Sequence, residues 1–300
     1  MMEMKASSLA YRDGYIDSLD GARLYYREWL PARVDVGVVV LFIHGIGLHG
    51  SSPPYGEKIL IRQLLDKGTA FYSIDLRGHG RSGGSVEGVS GHMLLQDVDC
   101  HVNDIKKLHK NARVFLYGHD FGGMLSLYYA STYRQKVRGV IVSGYSKRLS
   151  EGVRRALRPG AFTAFRDWLS ERLYHRPRKL EFLSPSGYVQ LCGRHGVAVD
   201  EGILRSLEQS GGPEKRMEYG KGFFSACGAG MEDIIAKNTR VPTLMVFARK
   251  DPFFDVRGAY EILLGISSFD KELIQVDAAG HYDVIEAGKE AIAKWLLARA

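Results

Sequence analysis

Val114-Phe115-Leu116-Tyr117-Gly118-His119-Asp120-Phe121-Gly122-Gly123 is the stretch on which the reading of this chain turns. An apolar run of the kind found in buried strands meets glycines placed two residues before and two after Asp120. A helical stretch from Met124 to Tyr133 follows. Strand, G-x-Nuc-x-G turn and helix make up a nucleophile elbow, in which the glycines let the backbone bend so sharply that the central side chain projects from the turn. Serine is the usual occupant of that position. Here it is a carboxylate, so the electrophile it attacks differs, or a serine site has been disabled.

The same alternation extends outward in both directions. Upstream, Tyr15 to Ser18 and Ala22 to Trp29 read as strands joined by the hairpin signal Leu19-Asp20-Gly21. Val36 to Ile43 is a near-continuous apolar run, Lys58 to Asp66 has helical spacing, and Ala70 to Ile74 is a short strand. Gly91 to His109 carries Leu94, Leu95, Val98, Val102, Ile105 and Leu108 on one helical side. Downstream, Val137 to Val142, Pro242 to Phe247 and Leu273 to Val276 read as strands, and a helix from Val284 to Ala300 closes the chain. Between them, 146–231 loses the alternation and is broken by Pro177, Pro185, Gly193 and Gly211-Gly212-Pro213. The pattern predicts an α/β fold with a mostly parallel central sheet and helices on both faces. Its core is built from 1–145 and 232–300, with a helical lid inserted over 146–231.

In open α/β sheets, reactive groups gather at the carboxyl ends of strands. Asp120, Asp251 in Ala248-Arg249-Lys250-Asp251-Pro252, and His281 in Ala279-Gly280-His281 all fall there. Nucleophile, acid and histidine come in that order, and the lid lies between the first two. Asp251 is preferred to Asp255, four residues on, as the acid.

With these residues in view, the chain resembles the α/β-hydrolase superfamily over essentially its whole length. Phe42-Ile43-His44-Gly45-Ile46-Gly47-Leu48-His49-Gly50 is similar to the oxyanion loop of the monoacylglycerol lipase and lysophospholipase branch. Asp75-Leu76-Arg77-Gly78-His79-Gly80-Arg81-Ser82 and Val114 to His119 are similar to their counterparts in that branch. The branch places Ser where this chain has Asp120. An Asp in a Gly-His-Asp-aromatic-Gly-Gly elbow resembles epoxide hydrolases and haloalkane dehalogenases instead. Those relatives usually carry Pro and Trp where this chain has Gly47 and Phe121.

What the resemblance implies follows from chemistry. A carboxylate displaces at a saturated carbon and leaves an alkyl ester on the protein. His281 then activates water against the carbonyl of that ester, while Asp251 holds the imidazole. Backbone N–H groups of Ile46 and Phe121 form the oxyanion hole. Epoxide opening is the first expectation, with Tyr145, Tyr174, Tyr188 and Tyr219 as candidate substrate-binding or proton-donating residues. Dehalogenation ranks lower because Phe121 has no indole N–H. The alternative is a carboxyl-ester or monoacylglycerol hydrolase with its Ser replaced by Asp120. A third reading is a catalytically silent binding protein. His44, His79 and His119 are expected to fix loop geometry and packing rather than to react.

Composition narrows the classes. The chain has 300 residues, 45% of them apolar, and no apolar run of 18. Its N-terminus lacks signal-peptide character and its three cysteines are scattered, so a cytoplasmic setting is expected. The net charge is +7, and 146–231 holds 15 Lys and Arg against 9 Asp and Glu. A basic lid suits an anionic substrate or contact with a membrane surface. No aromatic-interleaved basic motif points to nucleic acid. The expected partner is a small hydrophobic or amphipathic substrate, with neither cofactor nor metal required.

Overall fold

A computed structural model of the chain describes residues 9–32, 35–51, 59–86, 88–151, 230–277 and 280–300. Most of the expected lid, including Tyr174, Tyr188 and Tyr219, therefore lies outside the described residues. Among the described residues, eight strands form one sheet: β1 (Arg12–Asp17), β2 (Arg23–Trp29), β3 (Val38–Ile43), β4 (Thr69–Ile74), β5 (Arg113–His119), β6 (Gly139–Ser143), β7 (Thr243–Ala248) and β8 (Lys271–Val276). Their order across the sheet is β1-β2-β4-β3-β5-β6-β7-β8. β2 runs antiparallel to both β1 and β4, and every other pairing is parallel. The described helices are α1 (Ile59–Asp66), α2 (Gly91–Leu108), α3 (Phe121–Thr132), α4 (Glu232–Asn238), α5 (Val256–Gly265), α6 (Val284–Ala287) and α7 (Lys289–Leu297).

Side-chain alternation along the strands divides the core in two. Leu41, Ile43, Leu116, Val142 and Phe247 pack on one face with Leu94, Val98 and Val102 of α2 and Leu125 of α3. Phe42, Phe115, Tyr117 and Ile141 face the other way, against Leu60 and Leu64 of α1 and Trp295 and Leu296 of α7. Both faces of β3 and β5 are thus covered, which is why Val38–Ile43 and the run from Val114 to Tyr117 are apolar without alternating. Among the described residues no helix is long and apolar enough to cross a membrane.

Two readings of the sequence need correction. The closing helix is not continuous from Val284 to Ala300; it breaks at Gly288 into α6 and α7. A Cβ at Gly288 would lie 2.8 Å from both Val246 Cγ1 and the Val284 carbonyl, so the chain presses flat on β7 there and changes direction. Helices α4 and α5 were not expected. Asp255, considered above as a rival acid, is the N-cap of α5: its Oδ1 accepts from the Arg257 N–H at 2.9 Å.

One buried charge network fastens the outer hairpin to the body. Arg77 is 5% exposed and grips Asp97 of α2 with two hydrogen bonds of 2.8 Å. It also reaches Asp20 at 2.6 Å and Ser18 at 3.0 Å, both in the turn between β1 and β2. Hydrogen bonds from Arg77 hold the Asp20 carboxyl down at about 2.

The elbow is where packing is tightest. A Cβ on Gly122 would meet the Ile43 carbonyl oxygen at 2.1 Å, and one on Gly118 the Gly122 oxygen at 2.1 Å. Both obstacles are backbone, which cannot swing aside. Gly122→Ala is therefore expected to destabilise the fold by about 3 kcal/mol, the upper end for overpacking, read as a lowered urea midpoint with unchanged slope.

Candidate active site

Asp120 sits between β5 and α3 with φ 52° and ψ −122°, and it is the only non-glycine with positive φ among the described residues. Such a conformation costs on the order of 1–3 kcal/mol and persists only where neighbours enforce it. Here the Asp120 N–H donates to the Ser143 carbonyl at 2.9 Å, and its own carbonyl accepts from the N–H of Gly123 at 2.8 Å. The side chain projects at the carboxyl edge of the sheet.

Its carboxylate faces two backbone donors. The Ile46 N–H donates to Asp120 Oδ2 at 3.2 Å, and the Phe121 N–H also hydrogen-bonds this carboxylate. The loop carrying Ile46 is held in place by neutral side chains and one buried acid. His44 Nε2 accepts from the Leu76 N–H at 2.9 Å, which leaves Nδ1 to donate to the Gly45 carbonyl at 2.7 Å. Burial keeps His44 uncharged by pushing it well below the ordinary histidine range. Asp75 accepts from the Gly50 and Arg81 N–H groups, each at 2.8 Å, and joins the far end of the loop to the turn after β4.

The imidazole and its acid come from β8 and β7. His281 Nδ1 lies 2.7 Å from Asp251 Oδ2, with the histidine side chain 3% exposed and the aspartate side chain fully enclosed. Asp251 Oδ1 accepts the N–H groups of Phe253 at 2.8 Å and Phe254 at 3.0 Å. The Phe253 and Phe254 rings pack on His281 with centroids 5.2 and 5.5 Å away. Burial works against charge on His281, but the charge and hydrogen bond of Asp251, with the charge of Asp120, outweigh it and raise its pKa. Asp120 moves upward too: burial dominates, resisted by the His281 charge and the two N–H donors.

His119 and Gly144 form the wall behind His281. The His119 and His281 rings are 4.8 Å apart, and His119 Nδ1 pairs with Ser143 Oγ at 3.0 Å. A Cβ on Gly144, whose φ is +60°, would meet His119 Cε1 at 2.8 Å and His281 Cε1 at 3.0 Å. Only a glycine lets both rings close on this strand end. Burial also depresses His79, to about 4, and His79 Nδ1 pairs with the Arg77 carbonyl at 2.9 Å.

The geometry thus brings together Asp120, Asp251, His281, Ile46 and Phe121. Tyr145 stands beside them, buried, but its hydroxyl donates to Glu232 Oε1 at 3.0 Å. Burial, then the Glu232 charge, push its pKa well up, and the Asp120 charge adds to the shift. Sequence reasoning missed Glu232, the first residue of α4. The signal available was an acid at a helix start, which marks a helix rather than a partner. Among the described residues no group of three or more His, Cys, Asp or Glu side chains is placed to hold a metal ion.

Comparison with known proteins bears on the family and the fold. The family model described as alpha/beta hydrolase fold matches residues 38–288. A putative monoglyceride lipase of Schizosaccharomyces pombe is 32% identical over 125 residues, which are 40% of this chain and 32% of that protein. The monoglyceride lipase of Homo sapiens is 33% identical over 122 residues, 40% of this chain and 39% of that one. The matched part thus spans well under half the length of these curated relatives. The crystal structure of the Paleococcus ferrophilus monoacylglycerol lipase superposes with a TM-score of 0.67 at 21% identity, covering 92% of this chain and 99% of that one. At that identity the likeness speaks to the fold.

Proposed function

The chain belongs to the alpha/beta hydrolase fold family, and from that premise we propose that it hydrolyses carboxyl esters of small amphipathic molecules of the monoacylglycerol kind, with Asp120 as a slow nucleophile. The supporting relatives are monoglyceride lipases, which back this alternative better than epoxide opening. The observation that supports the reading is the elbow carboxylate held beside the His281–Asp251 pair by two N–H donors, Ile46 and Phe121, which would pass to the acyl oxygen as charge develops on it.

The steps balance with Asp120 ionised and His281 protonated, the state favoured by the two carboxylates around that imidazole. An Asp120 oxygen attacks the acyl carbon. The C–O bond to the alcohol breaks, and the imidazolium gives the leaving oxygen its proton. A mixed anhydride remains on Asp120. Neutral His281 then takes a proton from water, which attacks the anhydride, releasing the fatty acid and restoring the carboxylate. A carboxylate is a weaker nucleophile toward acyl carbon than a base-activated serine and leaves more readily, so turnover is slow.

A second reading rests on one feature of the same geometry: the Asp120 carboxylate already engages both N–H donors. Its other oxygen is then poised for a saturated carbon, as in an epoxide, and the resulting alkyl ester keeps its carbonyl oxygen on the donors while water attacks. The deciding assay offers the protein monoacylglycerols of graded chain length and matched terminal epoxides, with hydroxylamine present. Ester hydrolysis gives fatty acid and a fatty acyl hydroxamate that disappears in Asp120→Asn. Epoxide opening without any fatty acid release overturns the ester reading in favour of the second.

A further inference from the structure

The described start of the inserted segment is stitched to the turn that bears the catalytic acid. The Leu149 and Phe254 backbones pair as an antiparallel bridge. The Ser150 N–H donates to the Phe253 carbonyl at 2.8 Å, and Ser150 Oγ donates to the Pro252 carbonyl at 2.6 Å. Further back, the Asp255 N–H donates to the Arg148 carbonyl at 2.9 Å, and Ser146 Oγ donates to the Asp255 carbonyl at 2.7 Å. Helix α5 closes on the same stem. A Cβ on its Gly258 would lie 2.3 Å from Ser146 Oγ, and its Glu261 pairs with both Lys147 and Arg148.

Phe253 and Phe254 sit at the centre of this arrangement. Their N–H groups hold Asp251 Oδ1 and their rings flank His281. Of the two serine contacts to the turn, Ser150 binds the residues nearest Asp251. We infer that Ser150 is a positioning residue, which clamps the Pro252–Phe253 turn and through it fixes Asp251 against His281. Residues 146–150 are thereby coupled to the acid–base pair. The inference rests on the reading of His281 and Asp251 as the working pair, but not on which ester the protein cleaves.

The test reads the pair directly, without substrate. The titratable groups facing His281 are Asp251, Asp120 from the elbow, His119 at the end of β5, and the adjacent Tyr282. Only the first is reached through Ser150. In Ser150→Ala the Asp251 hydrogen bond loosens, so the His281 imidazole, followed by NMR, titrates at lower pH than in the parent. On monoacylglycerol esters kcat falls about tenfold with KM unchanged, as a small misalignment of a catalytic group produces. Ser150→Thr keeps the hydroxyl and restores both readings. If the alanine variant does not fold, Ser150→Cys, a weaker donor of similar shape, carries the same expectation. A His281 titration identical to the parent overturns the inference, as does a threonine variant that falls as far as alanine. Loss of ester turnover in the parent with the titration shift intact would instead count only against the ester reading.

Discussion

Asp120→Ser is expected to raise monoacylglycerol hydrolysis at least about a hundredfold. The estimate follows from the oxyanion donors. In the parent, the carboxylate itself occupies the Ile46 and Phe121 N–H groups. A serine hydroxyl is shorter and uncharged and leaves both donors to the substrate carbonyl. A single such donor is worth roughly 10²–10³ in rate. The base-activated hydroxyl is also the better attacker of acyl carbon. The two forms should differ in the sign of their pH response. Attack by the parent needs ionised Asp120 and protonated His281, so kcat/KM falls as pH rises through the raised pKa of His281. The serine form needs neutral His281. It has lost one of the charges that raise that pKa, so its kcat/KM climbs with pH and reaches its plateau earlier. Rates on one ester across pH 5 to 9 measure both effects. No gain on any glyceride or aryl ester would remove the ester reading, and loss of epoxide opening in the same variant would favour the alkyl one.

The second large effect is expected from Asp251→Asn. Asp251 Oδ1 is committed to the N–H groups of Phe253 and Phe254, so an amide here must turn its oxygen to them. Its NH2 then takes the place of Oδ2 and donates to His281 Nδ1. That bond reverses the imidazole tautomer: the proton moves to Nε2, and the ring can no longer accept one from water or from a serine. A drop of about 10⁴ in kcat follows, the size seen when a triad acid is made an amide without loss of geometry. Single-turnover experiments on the asparagine variant separate the two steps. Formation of the covalent intermediate and its breakdown should both slow, since the imidazole serves as acid in one and base in the other. An activity within tenfold of the parent would mean that His281 takes its orientation from elsewhere.

Several of these features are legible in the residue string because they depend on neighbours in sequence. The run Val38–Ile43 reads as a doubly covered strand, and the glycines around Asp120 announce the bend. The order of Asp120, Asp251 and His281 follows from strand ends. What escaped reading depends on distant partners. Asp251 is preferred to Asp255 from sequence by its place after a strand end, and the structure separates them further: Asp255 caps α5, while Asp251 meets an imidazole 30 residues away. The cap signal, an aspartate just before an apolar helical stretch, was there to be used. The break at Gly288 reflects contact with Val246, and the serine clamp at Ser150 reflects a carbonyl 102 residues on. Gly288 is visible in the sequence, but neither contact is. The chemistry of Asp120 is a mixed case: its identity is plain, but what it attacks depends on which oxygen the Ile46 and Phe121 N–H groups hold.

The guanidinium of Arg77 has a bearing on where the chain could be shortened. The first strand stands at the rim and its loss would leave most of the sheet pairing intact, so it invites trimming. Yet Ser18 and Asp20 supply part of the shell around that cation. A version begun after Gly21 would leave the buried Arg77 guanidinium paired with Asp97 but without Ser18 and Asp20 around its other N–H groups. The turn that carries Ser18 and Asp20 is in this sense a plug, and a shortened version ought to keep it.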